Sequence, residues 1–396
     1  MTPCPPPIRI GYCLSLSGPI SGNGRSAQLA YEIWRDDVNR SGGLLGRPIE
    51  LVCYDDAADA SRVPALYKRL MDEDAVDLVI GGYGTNTILG ALPEIIKRQR
   101  FFVSLMALGA NNELKYRNYF AMIPTGPTPN VALTDGFFDT AARQQPRPRT
   151  VALLSADAVF ARNPILGAYS NARKHGFEVV HEATYALGTR DFAPFLDDIA
   201  NSDCELLFLC SYLQDTIDLV RAIDTHRFSP KMIGASMIGP QNGDVKAELG
   251  PLLNGIVNYE YWVPAPALMF DGVRELLEAY RQRAAGSDID PLGHYMAPLA
   301  YAQMQVMAQA VTATGSLDDG TLSDFVRTAS FSTVMGNITF GTHGEWTHSR
   351  VLQVQYQGIE GHDVDQFRDG SRQTVVAPPD LASGTLIYPF ADARKR

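Results

Sequence analysis

The chain has 396 residues, of which 45% are apolar and 20% charged, and this is enough for two or three domains of ordinary size. Its net charge of −10 serves solubility and excludes a basic face of the kind that neutralises nucleic-acid phosphates. No run reaches the roughly 18 consecutive apolar residues of a membrane-spanning helix, so the protein is not expected to be membrane-inserted.

The N-terminus "MTPCPPPIRIGY" carries no basic region followed by an apolar one, so no signal peptide is visible. Either the protein is cytoplasmic or its leader has been removed. The five cysteines are Cys4, Cys13, Cys53, Cys204 and Cys210, and none lies in a CxxC pair. Cys13 and Cys53 sit near the ends of neighbouring strands, where a disulfide can be drawn, but buried free thiols are the simpler reading.

In chain order, short apolar runs alternate with amphipathic segments. Strands are predicted at 8–16, 49–54, 77–81 and 101–105, and a second series at 150–155, 177–182, 205–210 and 231–235. Helices are predicted between them at 26–40, 61–73, 87–99, 127–144, 163–175, 191–201 and 214–226. This alternation implies parallel sheets built from βαβ units. Pro-rich stretches at 123–130 and 144–150 separate the two series, so the fold class is α/β with two similar lobes. After 255 the pattern changes to a strand, "GIVNYEYWVP", and long helices at 268–285 and 293–314. The stretch "GNITFGTHGEWTHSRVLQVQYQ" reads as a closing β-hairpin, and the Gly-, Pro- and Ser-rich tail after 358 reads as irregular. The expected division is lobe 1 at 1–125 plus 262–332 and lobe 2 at 126–261 plus 333–396.

Catalytic motifs fail one by one. After Gly82 no lysine appears until Lys97, which rules out a Walker loop, and Thr87 stands where a dinucleotide fingerprint needs its third glycine. "GASMIG" lacks the final glycine of a nucleophile elbow because Ile238 stands there. His343 and His348 lack the HExxH spacing of a zinc site and read as hairpin surface residues. In "YDDAAD", Asp55 and Asp56 end a strand, and Asp59 or Ser61 is expected to cap the next helix. No nucleophile, base and oxyanion hole assemble, and no catalytic residue, metal or cofactor is expected.

What remains is a binding architecture. In "VDLVIGGYGTNTIL" a strand runs into glycines and then a hydroxyl-rich helix start, where unpaired N–H groups favour a carboxylate or another small anion. Thr85 and Thr87 would add hydroxyl donors, and Gly82 and Gly84 would let the backbone approach the ligand.

Residues 8–357 resemble the periplasmic solute-binding proteins of ABC transporters for branched-chain amino acids, amides and related organic acids. The resemblance lies in the SGP loop, in "AxxxxNxxGGxxGRxIE" with Asn39, Gly42, Gly43, Gly46, Arg47 and Pro48, and in "YDDAAD", "VIGGYGTNT", "VSLMALGANNEL" and "GNITFGTHGEW". It implies the type I periplasmic-binding fold: two Rossmann-like lobes joined by a three-crossover hinge, closing over a ligand in the cleft. It also implies that Thr85, with Tyr83, Gly84 and Asn86, holds the ligand carboxylate. Ala107, Leu108 and Gly109 would add a carbonyl and an amide, Ser17 and Asn23 would reach the mouth, and Phe160 and Tyr212 would close from the second lobe. The implied partners are a small-molecule carboxylate and the ABC permease subunits, and the implied location is the periplasm. A cytoplasmic amide or acid sensor of the same fold is the alternative.

One departure bears on the ligand. Amino-acid binders of this family carry an acid after the "MIG" strand, whereas this chain has Ser236 and Met237 there. An unpaired buried ammonium is costly, on the order of several kcal/mol. A hydrophobic or aromatic carboxylate is therefore expected, against an apolar wall of Phe160, Tyr212 and Met237 with Trp262 or Tyr295. Branched-chain amino-acid binding is the other reading.

Overall fold

The computed structural model describes residues 5–226 and 228–395, so Cys4 lies outside the described residues. The chain begins β1 (Ile8–Leu14), α1 (Ser21–Arg40), β2 (Ile49–Asp55), α2 (Val63–Asp72), β3 (Leu78–Tyr83), α3 (Thr85–Lys97), β4 (Phe102–Met106) and β5 (Tyr119–Ala121). It continues α4 (Pro129–Ala142), β6 (Thr150–Ala156), α5 (Val159–Lys174), β7 (Glu178–Tyr185), α6 (Ala193–Ala200), β8 (Leu206–Ser211), α7 (Leu213–His226) and β9 (Met232–Met237). Then come α8 (Gly243–Leu249), β10 (Ile256–Glu260), α9 (Val273–Ala284), α10 (Ala297–Thr314), α11 (Asp319–Val326), β11 (Phe331–Thr333) and β12 (Gly336–Ile338). The last elements are β13 (Leu352–Tyr356), β14 (Gln373–Ala377) and α12 (Phe390–Ala393).

Two compact units form, one of residues 1–127 and 269–349, the other of 128–268 and 350–396. The chain passes between them three times. The expected boundaries shift for a packing reason. Residues 333–349 belong to the first unit, because β12 pairs with β11 and Phe340 packs on Phe120 and Phe331 at 5.3 and 6.1 Å. Residues 262–268 belong to the second unit, where the Trp262 indole donates to the Leu268 carbonyl at 3.0 Å.

The first unit holds a parallel sheet in the order β2-β1-β3-β4-β5. β3 and β4 are buried throughout, as strands covered on both faces must be. Buried Gln303 of α10 reaches this sheet. It donates to the Gly81 and Val103 carbonyls at 2.9 and 2.7 Å and accepts from the Tyr31 hydroxyl at 2.5 Å. Asn39 clamps the start of β2, bonding the Ile49 carbonyl and amide at 3.0 and 2.7 Å.

The second unit's sheet runs β14-β13-β10-β9-β8-β6-β7. Strands β7 to β10 are parallel, but β13 and β14 are antiparallel additions at one edge. This corrects two expectations. The predicted closing hairpin is split, its first half pairing with β11 and its second with β10. The tail after 358 is not all irregular, since β14 caps the sheet.

The cysteines need no disulfide. In the parallel register Tyr12 faces Cys53 and Cys13 faces Tyr54, so the two thiols lie on opposite faces. All four described cysteines are free, and burial pushes the Cys53 thiol up to about 12.

Acidic side chains fix the loops at the carboxyl ends of β1 and β2. Asp55 accepts from the Leu16, Ser17 and Ala57 amides at 2.9, 3.3 and 2.8 Å and from the Ser17 hydroxyl at 2.6 Å. Asp56 is buried and accepts from the Ser15 hydroxyl at 2.5 Å and the Ala58 amide at 3.0 Å. These bonds hold Ala57 and Ala58 in the left-handed region, with φ of 53° and 60°. Asp59 bonds Ser61 in a turn and does not cap α2, whose N-cap residue Arg62 makes no side-chain cap.

Gly82 serves the sheet. A Cβ there would stand 2.1 Å from the Cys13 carbonyl oxygen, so β1 could not pass β3 at its present distance. Substitution Gly82→Ala is expected to cost about 3 kcal/mol or more, read as a lower urea midpoint. Burial raises the Asp56 carboxyl above its ordinary value, so the native state holds that proton more tightly than the unfolded chain. Wild-type stability therefore falls as pH rises from about 3.9 through the raised native value. Asp56→Asn keeps an acceptor for Ser15 and Ala58. It should be at least as stable as wild type at pH 7, with the difference vanishing below about pH 4. Asp56→Ala should lose about 1–3 kcal/mol at both pH values, because two donors lose their acceptor.

Candidate functional site

In each unit the carboxyl ends of the parallel strands and the following helix starts collect at one edge of the sheet, where α/β proteins bind ligands. In the first unit Tyr83 ends β3, Gly84 turns at φ 108° and Thr85 opens α3. The Gly84 amide donates to the Met106 carbonyl at 3.0 Å, which ties this turn to the end of β4. The Leu108 amide donates to the Thr85 hydroxyl oxygen at 3.1 Å. That bond occupies a lone pair and leaves the Thr85 proton to point elsewhere, with no acceptor for it among the described residues. The first amides of α3 have no intrahelical acceptors, and Asn86 is exposed beside them. A half-buried hydroxyl donor next to a helix N-terminus suits an anion.

The neighbouring candidates behave differently. The Thr87 hydroxyl donates to the Tyr83 and Gly84 carbonyls, both at 2.8 Å, so it is not the second donor expected. Ala107 and Leu108 are buried, and Gly109 follows at φ 63°. Because the Leu108 amide is spent on Thr85, this loop orients the hydroxyl and does not present that amide itself. Asn111 pins the same loop, bonding the Tyr116 amide and carbonyl at 2.7 and 3.0 Å. Ser17 is exposed, but its proton goes to Asp55, so it joins two loops and does not offer a donor. Asn23, on α1, is only 3% exposed, and its amide nitrogen has no partner among the described residues. Tyr83 meets Tyr295 edge to face at 6.1 Å, with the two hydroxyls 3.3 Å apart.

In the second unit the Tyr212 phenol accepts the Phe160 amide at 3.1 Å. It thereby caps α5, whose N-cap residue Ala158 makes no side-chain cap. Burial raises the phenol above its ordinary value, so it stays neutral. The Phe160 ring meets Tyr212 at 6.2 Å and Tyr259 at 6.3 Å, and Tyr259 meets Tyr261 at 5.3 Å. Ser236 and Met237 end β9 fully buried. Asn258 of β10 locks the Met237 backbone, accepting from its amide and donating to its carbonyl, each at 2.9 Å.

Two acids on this unit escaped the sequence reading. Asp215 is buried in the first turn of α7, and burial raises its carboxyl above the ordinary value. Glu260 ends β10 at 2% exposure and accepts from the Tyr356 hydroxyl at 3.3 Å and the Gln373 side-chain amide at 3.5 Å. The signal for Glu260 was available: it is the one charge in "GIVNYEYWVP", and a charge inside an apolar run needs buried partners.

Comparison with known proteins agrees with this architecture. A leucine-, isoleucine-, valine-, threonine- and alanine-binding protein of Pseudomonas aeruginosa is 19% identical over 345 residues, covering 85% of this chain and 87% of that one. An ABC transporter substrate-binding protein from Sphaerobacter thermophilus superposes with a TM-score of 0.79 at 21% identity, covering 95% of this chain and 99% of that one. A solute-binding protein of an ABC transporter from R. palustris, solved with benzoate, superposes with a TM-score of 0.73 at 16% identity, covering 96% and 97%. The fold is that of the type I periplasmic binding proteins, and the chain is a binding protein rather than an enzyme. Residues 7–359 match the periplasmic binding protein family, and the chain belongs to that family.

Proposed function

We propose that this protein is an extracytoplasmic solute receptor that captures a small hydrophobic or aromatic carboxylate and presents it to the permease of an ABC importer. The observation that carries the ligand class is the end of β9, where Ser236 and Met237 are buried and uncharged beside the Phe160–Tyr212–Tyr259 rings. Such a lining suits an aryl or alkyl body, and neither Ser236 nor Met237 supplies the counter-charge that an ammonium needs at this strand end. In the first unit, the Thr85 proton and the first amides of α3 supply what a carboxylate needs. The described residues include no helix long and apolar enough to cross a membrane, as a receptor that works beside a separate permease requires. Ligand binding would act by shifting the population toward the form that the permease reads.

A second reading, branched-chain amino-acid binding, draws on the buried Glu260 and on the amino-acid specificity in the name of the P. aeruginosa relative. Glu260 already shares one oxygen with Tyr356 and Gln373, which favours the first reading.

Titration calorimetry with benzoate and with leucine separates the two. The proposal expects benzoate to bind and leucine not to. Thr85→Val should weaken benzoate roughly 10- to 150-fold, while Thr85→Ser stays within a few-fold of wild type. Tight leucine binding with no response to benzoate would overturn the aryl-acid reading.

A further inference from the structure

The Thr85 hydroxyl accepts the Leu108 amide, and Leu108 lies on the β4–β5 connection, residues 107–118, which contains no helix. Such a loop has no ladder of bonds to the fourth residue before, so the Leu108 amide must be held in place by other means. Asn111, at 3% exposure, supplies them. Its side-chain amide donates to the Tyr116 carbonyl at 3.0 Å, and its oxygen accepts the Tyr116 amide at 2.7 Å, which closes the loop on itself. Its other amide proton goes to the His343 carbonyl at 2.8 Å, 232 residues further along the chain. His343 sits in a tight loop, 340–346, closed by the Phe340–Trp346 bridge. The Glu345 carboxylate accepts the His343 amide at 2.8 Å, and the Glu345 carbonyl accepts the Gly341 amide at 2.6 Å. The Gly344 carbonyl accepts the Ala121 amide at 2.8 Å, and a Cβ on Gly344 would stand 1.8 Å from the Tyr119 carbonyl oxygen, so this loop is seated directly on β5. All of these residues belong to the first unit.

We propose that Asn111 is a positioning residue for the carboxylate site. Loop 340–346 holds Asn111, Asn111 holds residues 107–110, and the Leu108 amide thereby fixes the direction of the Thr85 proton. This rests on the assignment of Thr85 to the ligand carboxylate and is independent of the body that the ligand carries. A hydroxyl that accepts one bond has its proton confined to the remaining directions, so loosening the donor lets the proton swing away from the anion. Both Asn111 amide protons are committed to the protein, so its influence on the ligand passes through Leu108.

The test is calorimetry with benzoate on the full chain, in a double-mutant cycle of Asn111→Ala and Thr85→Val. Asn111→Ala should weaken benzoate roughly three- to tenfold when Thr85 is present, and less than about twofold when valine already stands at 85. Equal loss in both backgrounds would mean that Asn111 acts elsewhere than on Thr85, and overturns the assignment. So does a single variant that binds as wild type does, since Asn111 would then serve the fold alone. Should Asn111→Ala not fold, Glu345→Ala, which releases the His343 amide, carries the same expectation in both backgrounds. Glu345→Gln keeps an acceptor for that amide and should retain wild-type affinity. If wild type binds leucine and not benzoate, the aryl-acid reading fails and the same cycle, read with leucine, still decides the role of Asn111. If wild type binds neither, both fail together.

Discussion

A parallel strand cannot be joined to its neighbour by a tight turn; the chain must cross back over the sheet, here through a helix at every parallel connection except β4 to β5, which residues 107–118 join without one. That constraint fixes where function can reside in both units. The carboxyl ends of the parallel strands, and the starts of the helices that directly follow them, are delivered to one edge in each unit. Strand order then decides which ends are neighbours. In the first unit the order β1-β3-β4 brings the SGP loop, the Thr85 helix start and the Ala107–Gly109 loop side by side. In the second, β6-β8-β9 sets Phe160, Tyr212 and Ser236 together, although Phe160 and Tyr212 are 52 residues apart in sequence.

Within those edges the hydrogen bonds divide the candidates into groups that hold the structure and groups left for a ligand. Ser17, Thr87 and the Leu108 amide are all spent on the protein. Each removes a donor that composition alone would assign to a ligand. Thr85 is different because it accepts from Leu108 and its own proton remains uncommitted. Asn23 and Ser236 are buried donors with no protein partner among the described residues. In the first unit the loops next to Thr85 are already pinned by Asp55, Asp56 and Asn111, so binding there would have little left to order.

Much of this was legible in the sequence. The apolar runs located β1 to β4 and β6 to β10, most plainly β3, β4 and β8, which are buried throughout and so read as continuous hydrophobic segments. β5, β11 and β14 were missed: the first two have three residues each, and the last is an edge strand that alternates buried and half-buried positions inside a polar tail. The hairpin was misread because local alternation cannot reveal that Gly336–Ile338 and Leu352–Tyr356 pair with strands in different units. The glycines were read for partly the wrong reason. Gly84 makes the turn that the helix start needs, whereas Gly82 is required by the close passage of β1. Which hydroxyls are free depends on partners such as Asp55 and Leu108, 38 and 23 residues away, and spacing along the chain does not encode those bonds.

The proposed function depends most on the Thr85 hydroxyl, whose oxygen accepts the Leu108 amide and whose proton would serve a bound carboxylate. A crystal structure of the protein saturated with benzoate tests this directly. The account predicts a carboxylate oxygen within about 3 Å of Thr85 Oγ1 and beside the first amides of α3, with the Leu108 amide still bonded to Thr85. A carboxylate held elsewhere, or one that takes the Leu108 amide from Thr85, would contradict it.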